Sequence, residues 1–187
     1  MNLPNKLTII RMILTPIFLI VFLSNLPHKF LFAFILFVIS SLTDTLDGHI
    51  ARKHNIITVF GKLADPVADK VLTTAALLAL MNIGYCNIWI VAITLTREFA
   101  VTSFRLVAAS DGLVVPANIF GKIKTVSQMV FTSIIILLLE FKEISLIPTS
   151  FNLALLSNFL LGITTVFTVV SGTIYIVRIT KKIDFSK

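Results

Sequence analysis

Residues 30–49 read Phe30-Leu-Phe-Ala-Phe-Ile-Leu-Phe-Val-Ile-Ser-Ser-Leu-Thr-Asp44-Thr-Leu-Asp47-Gly48-His49, an apolar run that closes on two carboxylates. A helix that spans a bilayer needs about 20 mostly apolar residues, and this run supplies them. Five further stretches of the same kind lie at about 7–23, 66–83, 89–108, 125–139 and 159–179. Between them, Ser24-Asn25-Leu26-Pro27, Asn82-Ile83-Gly84, Ser110-Asp111-Gly112 and Pro148-Thr149-Ser150 carry turn chemistry. The pattern predicts an all-α polytopic membrane protein of six transmembrane helices. Lys6 and Arg11 precede the first run as they would in a signal peptide, but no small-residue cleavage site follows, so the run reads as a retained helix.

Composition agrees. Of the 187 residues, 57% are apolar and 13% charged, and the mean hydropathy is +0.99. An ordinary soluble domain carries about twice that share of charge. A disordered chain, a soluble nucleic-acid-binding domain and a disulfide-stapled scaffold are excluded, the last because Cys86 is the single cysteine. No repeat or interdomain linker interrupts the chain, which reads as one membrane domain over 1–187 with the lipid bilayer as its solvent. An even helix count puts both termini on one side. Lys6, Arg11, Arg52, Lys53, Lys62, Arg105, Lys122, Lys124, Arg178, Lys181, Lys182 and Lys187 then share that side, and Lys29 and Lys142 remain opposite. The positive-inside rule makes the basic side cytoplasmic. The net charge of +7 follows, and it serves either anionic headgroups or a phosphorylated substrate.

Four of the nine acids lie between Asp44 and Asp69. A carboxylate at membrane depth is costly and persists where it lines a cavity and has a partner. Asp44 and Asp47 are three apart, Asp65 and Asp69 four apart, so each pair shares a helix face. A short segment, 53–61, joins the two helices as an antiparallel pair in which the acidic faces meet. Four adjacent carboxylates do not all stay ionised without cations, and an oxygen-only ligand set suits hard divalent ions such as Mg²⁺ or Mn²⁺. No Cys/His cluster competes for zinc; His49 and His54 read as interfacial or loop histidines. Gly48 and Gly61 serve either helix packing or close approach of a phosphate. Arg52 adds a fork matched to phosphate oxygens. Acids, glycines and arginine together point to metal-assisted phosphoryl transfer.

The run Asp44-Thr-Leu-Asp47-Gly48-His-Ile-Ala51-Arg52, eight residues, then Gly61-Lys-Leu-Ala-Asp65-Pro-Val-Ala-Asp69 resembles the signature of the CDP-alcohol phosphotransferase family, with every fixed position present. The resemblance implies a six-helix enzyme of the bacterial inner membrane, commonly a homodimer, with its site facing the cytoplasm. It implies transfer of a phosphatidyl or related group from a CDP-linked donor to an alcohol, with release of CMP. Carried over by position, Asp44, Asp47, Asp65 and Asp69 match the metal-associated aspartates, and Asp69 also the proposed general base. Gly48, Ala51, Arg52 and Gly61 match positions that hold the CDP part.

Asn5-Lys-Leu-Thr8-Ile-Ile-Arg11, Thr96-Arg97-Glu98 with Arg105, and Gly121-Lys122-Ile-Lys124-Thr125 with Gln128-Met129 resemble the bacterial members that join CDP-diacylglycerol to glycerol 3-phosphate. Glycerol 3-phosphate carries a phosphate besides its reacting hydroxyl. Arg97, Arg105, Lys122 and Lys124, at or near the inner ends of the fourth and fifth helices, are positioned to collect it. An ion pair is the other use of Arg97, although Arg97 and Glu98 are expected to point different ways round the helix. Membrane flanking is the other use of the two lysines. Asn5 and Thr8 serve either the nucleotide or the helix start. Inositol phosphate, serine or phosphatidylglycerol are alternative acceptors within the family. A divalent-cation transporter would need an acidic path to the far side, and helices one, five and six show no acid within their apolar stretches. Past Glu140 the sequence reads only as a hydrophobic helix with a basic end.

Overall fold

The computed structural model describes residues 3–54, 59–110, 119–148 and 150–180, and side chains among them outside 3–7, 44–66, 69 and 109–110. These residues form six helices: α1 (Leu3–Leu23), α2 (Lys29–His54), α3 (Val59–Asn82), α4 (Ile88–Ser110), α5 (Ile119–Glu143) and α6 (Leu153–Thr180). Among the described residues there is no strand. The all-α expectation holds, and every helix outruns its apolar core. α3 starts seven residues before Pro66 and α5 six before Thr125, because backbone hydrogen bonding continues through polar turns that a hydropathy window discards. The α2–α3 link is correspondingly shorter than 53–61, and its residues 55–58 lie outside the described set. His54, expected in that link, is the last residue of α2.

Each helix packs against two main neighbours, in the order α1–α2–α5–α6–α4–α3 and back to α1, so the six close into a ring. α2 and α3 were expected to pair directly. Among the described residues they touch only slightly, and α1 packs along both. The reason lies in the buried stripe of α1: Thr8, Arg11, Thr15, Phe18 and Phe22 recur at alternating steps of three and four, the spacing that keeps one helix face against its partners. Phe18 meets Phe22 and Phe37 with ring centroids 5.7 and 5.9 Å apart, and Phe22 meets Phe30 edge-on at 5.2 Å. The Phe18–Phe37 and Phe22–Phe30 contacts fasten α1 to α2.

At one end the α1–α2, α3–α4 and α5–α6 turns meet. Glu140 of α5 is buried there, accepting the Leu31 N–H at 3.1 Å and lying 2.6 Å from His28 Nδ1. Leu31 N belongs to the first turn of α2, whose N–H groups have no partner inside the helix, so α5 caps α2. Lys142 Nζ reaches the Tyr85 hydroxyl at 3.1 Å, and the Tyr85 carbonyl accepts from Ser157 of α6. Gly84 turns the chain out of α3 at φ +82°, a conformation natural to glycine. Lys29 and Lys142 both belong to this end, as the charge grouping required.

The exterior is apolar where that of a water-soluble protein would be polar. Ile20, Trp89, Phe99, Leu155, Phe159 and Val166 are all more than 60% exposed. Inside lie Arg11, Lys124, Gln128 and Glu140 and a file of threonines and serines. The hydroxyls of Thr15, Thr165 and Thr168 donate to the carbonyl one turn back, which satisfies them without a helix neighbour. An apolar exterior of this extent suits lipid and not water. By length and composition α5 and α6 are apolar enough to cross a membrane, and α1, α2 and α3 hold shorter apolar stretches at Thr8–Leu23, Lys29–Thr43 and Lys70–Asn82. Arg97, Glu98 and Arg105 interrupt the apolar run of α4.

Candidate active site

Asp44, Asp47, Gly48, Ala51 and Arg52 fall on α2, and Gly61, Asp65 and Asp69 on α3. Their side chains, and that of Asn5 on α1, lie outside the described residues. α2 and α3 are unbroken helix through both acidic pairs, so Asp44/Asp47 and Asp65/Asp69 each stand about one turn apart. A donor set of carboxylates alone fits Mg²⁺ or Mn²⁺ and not zinc. Among the described residues no group of His, Cys, Asp and Glu forms a rival metal site.

Deeper in the ring, α4, α5 and α6 build a compact ionic cluster. Glu98 Oε1 accepts from Lys124 Nζ at 2.6 Å and from Arg97 Nη1 at 2.9 Å. The Lys124 side chain is only 7% exposed, and those of Arg97 and Glu98 16%. Arg97 Nη2 donates to Ser171 Oγ of α6 at 2.9 Å. Lys70, next to Asp69 on α3, is near enough for its charge to act on both Glu98 and Lys124. Cations from α4 and α5 therefore meet on one carboxylate, and α6 holds one of them through Ser171. Two cations converge on it, leaving a surplus of positive charge in a largely dry interior. Arg97 Nε is buried without a hydrogen-bond partner among the described residues, so the guanidinium has donor capacity beyond its two contacts.

This cluster corrects the expectation that Arg97 and Glu98 point apart. Adjacent helix residues do leave the axis about 100° apart. The long arginine side chain closes that angle because the carboxylate is where charge in a dry interior is best satisfied. The four expected phosphate ligands also separate. Arg97 and Lys124 come together. Lys122 is exposed, since residues two apart on a helix point nearly opposite ways and only one of Lys122 and Lys124 faces inward. Arg105 is exposed, two turns from Arg97, with its guanidinium 5.6 Å from the Tyr175 ring centroid and Nε 3.4 Å from the Tyr175 hydroxyl.

Thr8 and Arg11 are each about 1% exposed on the inner face of α1. Arg11 was grouped among flanking cations. Its register marks it as interior, three after Thr8 and four before Thr15 on the buried stripe. The apolar stretch 125–139 holds no acid, as expected, but α5 runs on past it to Glu143 and buries Glu140 at the end where the Lys29 and Lys142 turns meet.

Residues 1–171 match the family model described as CDP-alcohol phosphatidyltransferase. The chain is 42% identical over 186 residues to a Bacillus subtilis protein named CDP-diacylglycerol–glycerol-3-phosphate 3-phosphatidyltransferase, covering 93% of each chain. A Rickettsia bellii protein of the same name is 39% identical over 136 residues, covering 73% of this chain and 75% of its own.

Proposed function

The chain belongs to the CDP-alcohol phosphatidyltransferase family, and from that premise we propose that it transfers the phosphatidyl group of CDP-diacylglycerol to glycerol 3-phosphate, releasing CMP. The observation that carries the acceptor is the buried cluster in which Arg97 and Lys124 converge on Glu98 with surplus positive charge and an open Arg97 Nε. A phosphomonoester carries about −1.5 to −2 charge at neutral pH, which such a cluster complements. Serine, a zwitterion, would not use that surplus.

In the proposed reaction, Arg97 and Lys124 hold the acceptor phosphate and orient the sn-1 hydroxyl. Asp69 takes the hydroxyl proton as that oxygen attacks the phosphorus bearing diacylglycerol. The new O–P bond forms, the bond from that phosphorus to the pyrophosphate bridging oxygen breaks, and CMP departs with the bonding pair. Gly48, Ala51, Arg52 and Gly61 cradle the CDP part, with Asn5 and Thr8 at its edge. Asp44, Asp47, Asp65 and Asp69 hold Mg²⁺ or Mn²⁺, which when bound supplies neutralisation of the pyrophosphate and of charge growing on the leaving group. The proposal places all six helices across a bacterial cell membrane, as a homodimer, with termini and site on the cytoplasmic side. The lysine and arginine asymmetry supports the orientation, and the homodimer is what the family resemblance implies.

The test is CMP release by purified protein given CDP-diacylglycerol, glycerol 3-phosphate and Mg²⁺ or Mn²⁺. Turnover with serine or inositol phosphate in place of glycerol 3-phosphate refutes the acceptor. Asp69→Asn should abolish turnover while donor binding persists; near-wild-type turnover removes the base assignment.

A further inference from the structure

The sixth helix makes no charged contribution to the cluster, yet its contacts fix where the Arg97 guanidinium sits. Ser171 Oγ donates to the Thr168 carbonyl at 3.1 Å and accepts from Arg97 Nη2 at 2.9 Å. Donating to Thr168 leaves the Ser171 oxygen as the acceptor toward Arg97. One residue on, Gly172 leaves room for the arginine stem: a Cβ added there would stand 2.8 Å from Arg97 Cγ, 3.3 Å from Nε and 3.6 Å from Cδ. A contact at 2.8 Å with Cγ is not relieved at the tip of a flexible chain. The whole guanidinium must swing. Gly162, ten residues earlier on the same helix, has nothing within 4 Å of an added Cβ. The close approach is thus particular to Gly172 and is not a general feature of glycine on α6.

We infer that Ser171 and Gly172 form a seat on α6 that positions Arg97 for the acceptor, making them specificity-determining residues that touch no substrate. This rests on the reading of Arg97 as an acceptor-phosphate ligand. The seat acts in two ways: Ser171 holds the outer nitrogen, and the missing Cβ of Gly172 admits the stem. A shift of about an ångström in a positioning group costs up to about a hundredfold in rate or acceptor affinity.

The experiment measures KM for glycerol 3-phosphate and for CDP-diacylglycerol separately, with thermal midpoints, in Gly172→Ala, Ser171→Ala, Gly162→Ala and Arg97→Ala. Alanine is a better helix former than glycine, so Gly172→Ala does not weaken α6 itself. The expected result is a rise of about tenfold or more in the acceptor KM for Gly172→Ala and a smaller rise for Ser171→Ala. The donor KM stays within about twofold in both, and Gly162→Ala behaves as wild type. An unchanged acceptor KM in Gly172→Ala and Ser171→Ala overturns the seat, as does a parallel rise in both KM values, which would mark general distortion. If Arg97→Ala leaves the acceptor KM unchanged, the reading of Arg97 fails. If Arg97→Ala raises it and the α6 variants do not, only the seat fails.

Discussion

Replacing Glu98 by glutamine tests the charge arrangement of the interior directly. The carboxylate oxygen lies 2.6 Å from the Lys124 ammonium and 2.9 Å from an Arg97 nitrogen. Two cations that meet on one oxygen are within about 5.5 Å of each other, and at an effective dielectric of about 20 their repulsion is about 3 kcal/mol. In the wild type the carboxylate more than offsets it. Glutamine is isosteric, but its amide accepts from one cation and turns a donor toward the other. The cluster is slightly open to solvent, which trims the penalty, so a loss of about 2–3 kcal/mol is expected. For a chain of this size each kcal/mol moves the midpoint by about 2–4 °C, giving a fall of about 4–12 °C in detergent. A second consequence separates a binding site from a merely structural ion pair. The phosphate of glycerol 3-phosphate restores the missing negative charge, so added glycerol 3-phosphate should raise the midpoint of Glu98→Gln more than that of wild type. Differential scanning fluorimetry with and without glycerol 3-phosphate reads both. A mutant midpoint within about 1 °C of wild type would refute the electrostatic reasoning. A normal fall with no enhanced response to glycerol 3-phosphate would refute the assignment of these cations to the acceptor.

At the opposite end, Glu140→Ala removes the carboxylate that caps α2 at Leu31 N and pairs with the largely exposed His28. A charge-assisted bond to a part-buried backbone donor contributes about 1.5–3 kcal/mol, and the exposed histidine adds little. The midpoint should fall by about 3–12 °C in a melting experiment with the acceptor KM unchanged; a wild-type midpoint would mean that the α2 N-terminus needs no cap. Cys86 lies in the α3–α4 turn, where burial pushes its thiol from 9.0 up to about 12. The native thiol should resist Ellman's reagent at pH 8 and react once the protein unfolds. The raised value means that the unfolded chain loses this proton near pH 9 while the native chain keeps it, so stability falls as pH rises from about 9 toward 12. A native thiol that reacts at the rate of the unfolded chain at pH 8 would contradict this.

The fold was legible where residue chemistry is local. The turns after α1 and α3 were visible because Pro27 and Gly84 cannot extend a helix without cost, and the structure breaks there. The helix ends were not, because a hydropathy run registers where lipid would stop and a helix stops where its hydrogen bonds do. The acidic signature stands out in sequence because its residue types are rare at membrane depth and its spacing is fixed by one helical turn. The companion cluster is harder to read. Glu98 has no cation three or four residues away on α4, so its long-range partner comes from another helix, and Lys124 cannot be chosen over Lys122 until the register of α5 is known. The absence of a cation one turn away on α4 was the available signal for that interhelical partner.

The part of the site furthest from legibility is α6, and the reason is physical. An acid or arginine announces a cost that some other group must offset, whereas Ser171 and Gly172 cost nothing wherever they lie and look like ordinary small-residue packing. Their meaning comes from Arg97, 74 residues earlier, whose Nη2 bonds to one and whose stem fills the space left by the other. The same holds for Tyr175, whose ring lies under Arg105. In an apolar solvent the charged side chains declare which chemistry is available, but the small, uncharged residues packed against them determine where that charge is presented. The geometry of the cluster therefore depends on the helix whose sequence says least about it: a substitution on α6 that preserves every charge can still move the guanidinium away from the position that Glu98 and Lys124 define.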